Sequence, residues 1–176
     1  MKKIVVYILG VLGLCGVDWF TKYLAYAHLG ERRIPIIGEF LQLRYVVNTG
    51  LSFSSFAGNK VVTTLMPVIG MAILVMMYIF FRKYLKKRNE EKAVKVINTG
   101  SAFLLAGSIG NYAERMVHGG VIDFISVKGF AVFNVADIYV TVFQVLLIGA
   151  LCHIAWKDSK EKKAKRALEK QTLKNV

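Results

Sequence analysis

Acidic residues are scarce in this chain: 11 Asp and Glu stand against 24 Lys and Arg in 176 residues, a net charge of +13. Cysteine is nearly absent, with Cys15 and Cys152 far apart and each inside an apolar run. Two such residues form neither a metal-binding spacing nor a disulfide framework, and they read as small buried hydrophobes. Histidine is limited to His28, His118 and His153, none beside a motif serine, which excludes a Ser/His/Asp hydrolase. Zinc spacings, a phosphate-cradling glycine loop and a dinucleotide fingerprint are missing, and so is any internal repeat. From Val61 to Phe81 there is no charged residue at all.

Apolar residues, at 55% of the chain, are what is abundant. They are segregated from the basic residues rather than interleaved with them, which is the membrane pattern. About 20 helical residues cross ~30 Å of hydrocarbon. Four stretches reach that length: Ile4 to about Ala27, Val61 to Phe81, about Val94 to Tyr112, and about Phe133 to Trp156. Lys2 and Lys3 ahead of an apolar run resemble a signal peptide, and Leu12-Gly13-Leu14-Cys15 resembles a lipoprotein cleavage site. Leu14 is too bulky for that site, and the apolar character continues past it, so the segment is expected to be a retained first helix. Seventeen of the 24 basic residues flank the N-terminus, the second connection (Arg82 to Lys95) or the tail after Trp156. The positive-inside rule then puts both termini in the cytoplasm and turns residues 28–60 and 113–132 outward. A basic tail directly after an apolar span is explained by anionic headgroups and topology, not by nucleic acid.

The outer segment of about 31–58 alternates apolar and polar residues through Phe40-Leu41-Gln42-Leu43-Arg44-Tyr45-Val46, a strand signal. Phe40, Phe53 and Phe56 suit a small sheet at the membrane surface, and the loop bearing Phe53 and Phe56 suits a lid. Ala102, Ala106 and Gly110, with Gly107 beside them, are small residues spaced to admit a close neighbouring helix. After Asp158 the tail has helical propensity and is expected to be solvated and mobile.

Ionisable groups at membrane depth are costly. Asp18, Glu114, Asp123 and Asp137 all lie in or beside apolar segments, and the topology puts all four near the outer face. Asp18 and Lys22, four apart, share a helical face and suit a structural ion pair. Asn111 and Arg115 also share a face, whose donors suit a carboxylate or a peptide carbonyl. Asp123 and Asp137 are each flanked by bulky apolar residues, with 13 residues between them, enough for an outer turn that returns both to one place. Two carboxyls sharing one proton suit an aspartic protease; the same acids suit a proton or ion pathway in a small transporter subunit, or ion pairs with Arg115 and Lys22. Spacing alone leaves these readings open.

Five strings, in order, are Asp18-Trp19-Phe20-Thr21-Lys22, Asn48-Thr49-Gly50, Gly110-Asn111 through Arg115, Val121-Ile122-Asp123-Phe124 and Phe133-Asn134-Val135-Ala136-Asp137. On these the chain resembles the lipoprotein signal peptidases, the signal peptidase II family of bacterial inner-membrane aspartyl proteases. The resemblance implies a mainly α membrane fold of four transmembrane helices with a small extracytoplasmic β-cradle between helices 1 and 2. It implies a single peptidase domain over residues 1–156, followed by a basic cytoplasmic tail over 157–176. The implied substrate is a diacylglyceryl-modified prolipoprotein, cut just before its lipidated cysteine by a monomer amid membrane lipids, with no metal or cofactor. By matching positions, Asp123 and Asp137 would be the catalytic dyad. Asn111, Arg115 and Asn134 would line the site, Asn48 and Gly50 would meet substrate, and Asp18 and Lys22 would support the architecture. Phe124 and Phe133 would keep water from the dyad. Two departures are visible: Glu114 replaces the usual Asp before the arginine, and Ser52 stands where Ala is common.

Overall fold

The structure, a computed structural model, describes residues 2–50 and 60–174. Ser52, Phe53 and Phe56, and with them the lid expectation, lie outside the described residues. In chain order the elements are α1 (Lys2–His28), β1 (Arg33–Ile37), β2 (Leu41–Asn48), α2 (Lys60–Lys87), α3 (Glu91–His118), β3 (Val121–Val127), β4 (Val132–Phe133) and α4 (Val135–Lys174). The helices hold 27, 28, 28 and 40 residues, each long enough to cross a bilayer. Their outward faces are apolar: Ile4, Leu9, Leu12 and Phe20 of α1, and Met76 and Phe80 of α2, are largely exposed. Water would not tolerate so continuous a surface, whereas lipid requires it. The chain is a multi-pass membrane protein, mainly helical, with one small sheet, as its composition predicts.

The central helix is α3, packed against α1, α2 and α4. Its small residues are the reason. A Cβ on Gly107 would lie 2.4 Å from the Ala136 carbonyl oxygen, and one on Gly110 would lie 2.5 Å from Asp18 Oδ2. Ala106 is fully buried with Val11 and Tyr139. Away from the sheet, Leu85, Ile97, Leu104, Phe143 and Leu147 close a second core between α2, α3 and α4.

The helical propensity of the tail is realised: α4 continues past the membrane span that ends near Trp156 and runs unbroken to Lys174. At 1.5 Å per residue it is about 60 Å long, twice the hydrocarbon thickness. Past Trp156 the chain is rich in Lys, Glu, Ala and Arg and has neither Gly nor Pro, so nothing terminates the helix. One expectation needs correction: Cys152, read as a buried hydrophobe, is exposed on α4, while Cys15 is half-buried with its thiol 3.7 Å from the Ala106 carbonyl.

The sheet is antiparallel throughout, in the order β1-β2-β3-β4. Only its first half comes from the connection between α1 and α2. Residues 121–133 supply the rest, so what reads in sequence as an outer turn is a β-hairpin. Val121, Ile122, Ile125 and Val127 are β-branched and suit a strand. Gly119, at φ 71°, ends α3 in the left-handed conformation that lets the chain reverse into β3. Leu43, Tyr45, Ile122, Phe124 and Ile125 pack with Ala25 and Leu29 at the end of α1, seating the sheet on the bundle. Phe124 therefore anchors the sheet and does not screen the acids.

Candidate active site

Helix α4 begins where the site begins. Asn134 precedes its first residue, and the Asn134 side-chain oxygen accepts the Asp137 N–H at 3.0 Å. Asp137 Oδ2 in return accepts the Asn134 N–H at 3.2 Å. This reciprocal pair is a capping box with Asp in the third position. The next N–H of the same turn, that of Ala136, donates to Asp18 Oδ1 at 2.8 Å. Asp137 thus sits at a helix N-terminus, where the macrodipole favours negative charge.

Asp123 arrives from β3, opposite Val46 of β2, and is 4% exposed. Burial pushes its carboxyl up to about 6, the neighbouring Asp137 charge pushes the same way, and hydrogen bonds from Asn48 and Asn134 oppose the rise.

Three asparagines join the two acids, and each amide is oriented by a group that can only donate. Lys22 Nζ donates to Asn111 Oδ1 at 2.9 Å, which turns the Asn111 amide N–H toward Asp137 Oδ1 at 2.7 Å. The Gly50 N–H donates to Asn48 Oδ1 at 3.0 Å, which turns Asn48 Nδ2 toward Asp123 Oδ2, also at 3.0 Å. With its oxygen engaged by the Asp137 N–H, Asn134 directs Nδ2 to Asp123 Oδ1 at 2.7 Å and to Asn111 Oδ1 at 3.1 Å. Asn134 is therefore bonded to both aspartates and is itself fully buried.

Beneath this layer lies a buried charge cluster. Lys22 is ion-paired at 2.9 Å to both Asp18 and Glu114, and all three are at most 9% exposed. Neither contact has hydrogen-bond angles, so the attraction is chiefly coulombic. The other oxygens of the two acids do matching work. Asp18 holds the N–H of Ala136, the residue before Asp137; Glu114 holds the N–H of Ile122, the residue before Asp123, at 3.1 Å. Lys22 thus links two backbone clamps, one beside each aspartate.

The structure brings together Asp18, Lys22, Asn48, Gly50, Asn111, Arg115, Asp123, Asn134 and Asp137, every residue singled out in the sequence for the site. Arg115 Nη1 donates to the Gly50 carbonyl at 2.7 Å, tying α3 to the chain after β2. Sequence reading missed the clamp made by Glu114. The signal was available: a span-embedded Lys with one acid four residues away, and a second acid at the end of another span. Among the described residues, no three His, Cys, Asp or Glu side chains are grouped to hold a metal ion.

The acids face a groove of about 990 Å³ between α2, α3 and α4. Met66, Pro67, Met71, Ile138 and Val145 give it apolar walls, and Phe133 lies on the wall beside Asp137. Fold and site together define a membrane-embedded protein with two neighbouring carboxyls at the head of an apolar groove. Residues 10–153 match the family model described as Signal peptidase (SPase) II. The chain belongs to that family and is a membrane protease of signal peptides. It is 32% identical to the lipoprotein signal peptidase of Enterococcus faecalis over 168 residues, 93% of this chain and 94% of that one. It is 35% identical to the lipoprotein signal peptidase of Streptococcus pneumoniae over 158 residues, 86% of this chain and 95% of that one. A solved bacterial membrane enzyme superposes with a TM-score of 0.65 at 25% identity, covering 90% of this chain and 92% of its own.

Proposed function

We propose that Asp123 and Asp137 are a catalytic dyad that hydrolyses the peptide bond before the diacylglyceryl-cysteine of a prolipoprotein, releasing its signal peptide. The supporting observation is that Asn134 hydrogen-bonds both acids at the head of an apolar groove. In that arrangement the pair shares one proton. The ionised carboxylate takes a proton from water as the oxygen attacks the scissile carbonyl carbon, and the protonated carboxyl donates to the carbonyl oxygen. Collapse of the tetrahedral gem-diol breaks the C–N bond: the first carboxyl gives its proton to the departing amine of the new N-terminal cysteine, and a hydroxyl returns its proton to the second carboxylate as the C=O re-forms. Asn48, Asn111 and Asn134 hold the carboxyls in place, and the Arg115 bond to Gly50 fixes the chain entering from β2.

An acylated substrate lies in the bilayer, and the groove suits lateral entry, since Met66 and Val145 on its walls are half-exposed to the lipid side. Both termini and the turn between α2 and α3 lie at the end away from the sheet, where most of the basic residues are. We assign that end to the cytoplasm of a bacterial inner membrane and the dyad to the outer face. Residues 1–156 then form the peptidase domain, with the basic extension of α4 reaching into the cytoplasm. We take the working unit to be a monomer. Mass spectrometry of a diacylglyceryl-prolipoprotein after incubation with the purified protein tests this. The expected product begins at the lipidated cysteine; a cut elsewhere, or no cut in several such substrates, overturns the reading.

A further inference from the structure

The groove that holds the two aspartates continues past Asp123. A second cavity of about 650 Å³ lies over the free face of the sheet and shares Asn48, Asp123, Phe130, Ala131 and Val132 with the first. Its chemistry differs. Arg33, Gln42, Arg44, Ser126 and Lys128 line it beside Val46 and Val127, whereas no arginine or lysine but Arg115 lines the first. Arg33 and Arg44 are direct partners across β1 and β2, and both reach the same cavity. Two like charges directly opposite each other weaken a strand pair. Among the described residues neither arginine forms an ion pair: of the two carboxyls lining the lobe, Glu39 is taken by Lys128 at 2.6 Å and Asp123 is held by Asn48 and Asn134. Arg44 Nε is buried without a hydrogen-bond partner, a condition that also costs stability. Two unfavourable features meet in one lobe, and both are relieved by an anion with the planar geometry that guanidinium groups favour.

We propose that this lobe binds the polar segment following the lipidated cysteine, and that Arg33 and Arg44 make it select acidic side chains there. The inference rests on the prolipoprotein reading above. Such a substrate has an apolar signal helix, two acyl chains and a polar mature segment. The first two match the apolar groove, leaving the cation-lined lobe for the third. Arg44 is two residues along β2 from Val46, the partner of Asp123. At ~3.3 Å per residue, an extended peptide leaving the dyad passes Arg44 within about two to four residues of the cut.

The test uses the full-length protein in detergent and three lipopeptides identical up to the diacylglyceryl-cysteine. Their next four residues are rich in Asp and Glu, in the neutral Asn and Gln, or in Lys. At low salt the kcat/KM ratio of acidic to neutral lipopeptide is expected to be about 3- to 10-fold, shrinking at high salt. Arg33→Gln and Arg44→Gln each reduce the ratio, and together they bring it to about one. Arg33→Glu shifts the preference toward the Lys lipopeptide, a gain that misfolding cannot imitate. Equal rates on all three lipopeptides by wild type, or a preference that survives the double substitution, overturns the subsite and leaves the protease reading standing. Failure to cut any of the three removes both. If the arginine variants instead alter the dependence on phosphatidylglycerol content in vesicles and leave the acidic preference intact, the lobe holds lipid headgroups and the proposal is wrong.

Discussion

Two sets of ion pairs, at opposite ends of the bundle, join different pairs of elements by different physics. At the end away from the sheet, Arg88 pairs with Asp158, and Lys157 pairs with Glu90 at 2.5 Å, tying the turn before α3 to α4. These side chains are partly exposed, and water and salt compete for them. At the sheet end, Lys22 and its two acids are all but inaccessible. There the pairing is obligatory, because removing one partner strands a charge in a medium that cannot solvate it. The first set is an adjustable fastening. The second is a fixed frame, and the candidate dyad is mounted on it.

The largest effect expected from this contrast is on Lys22. Lys22→Ala strands Asp18 and Glu114 and should cost about 3–5 kcal/mol, read as a fall in the thermal midpoint in detergent, together with loss of cleavage. The triple variant Asp18→Asn, Lys22→Met, Glu114→Gln sharpens the point. It should recover most of the stability but not the activity, because Asn111 is no longer oriented. Recovery of both would reduce the cluster to scaffolding.

Next in size is Gly107→Ala. A Cβ there meets the Ala136 carbonyl at 2.4 Å, whereas one on Gly149, farther along α4, meets nothing within 4 Å. The first substitution should destabilise by about 1–3 kcal/mol and slow cleavage by displacing the start of α4; Gly149→Ala should be tolerated. Equal tolerance would mean that the α3–α4 contact does not position Asp137.

A subtler effect concerns pH. The carboxyl of Asp123 lies near 6, so the proton that the dyad shares is lost as pH rises, and kcat/KM should fall along an alkaline limb near that value. Asn48 favours the charged form of Asp123, so Asn48→Ala should move the limb to higher pH. A limb that stays in place would detach Asp123 from the proton transfer. The smallest effect is expected from Asp158→Asn, which should leave cleavage unchanged and alter the thermal midpoint far less than Lys22→Ala does.

Much of this was legible in the sequence, for identifiable reasons. Apolar runs of about 20 residues have few outcomes, so the four membrane spans could be placed, while the polar continuations of α2, α3 and α4 beyond them could not be read from hydropathy. Asp18 and Lys22 declared themselves by helical spacing, and β2 by its alternation. The hairpin β3–β4 was hidden because its strands are short and Asp123 interrupts the apolar run with the residue that carries the chemistry. The role of Glu114 was hidden for another reason: its partners, Lys22 and the Ile122 N–H, are distant in sequence or belong to the backbone, which leaves no pattern. The helical tail was readable from composition, since nothing after Trp156 breaks a helix. The cationic lobe needed the register of β1 on β2, which brings Arg33 opposite Arg44.

The most direct test of the central claim, that the two aspartates act as one unit, is a comparison of single-turnover cleavage rates for wild type, Asp123→Asn, Asp137→Asn and the double variant, all shown to be folded. Each single substitution should slow cleavage by about 10²–10⁴-fold, and the double variant should be little worse than either. A folded Asp123→Asn or Asp137→Asn protein that cuts within tenfold of wild type would contradict the dyad.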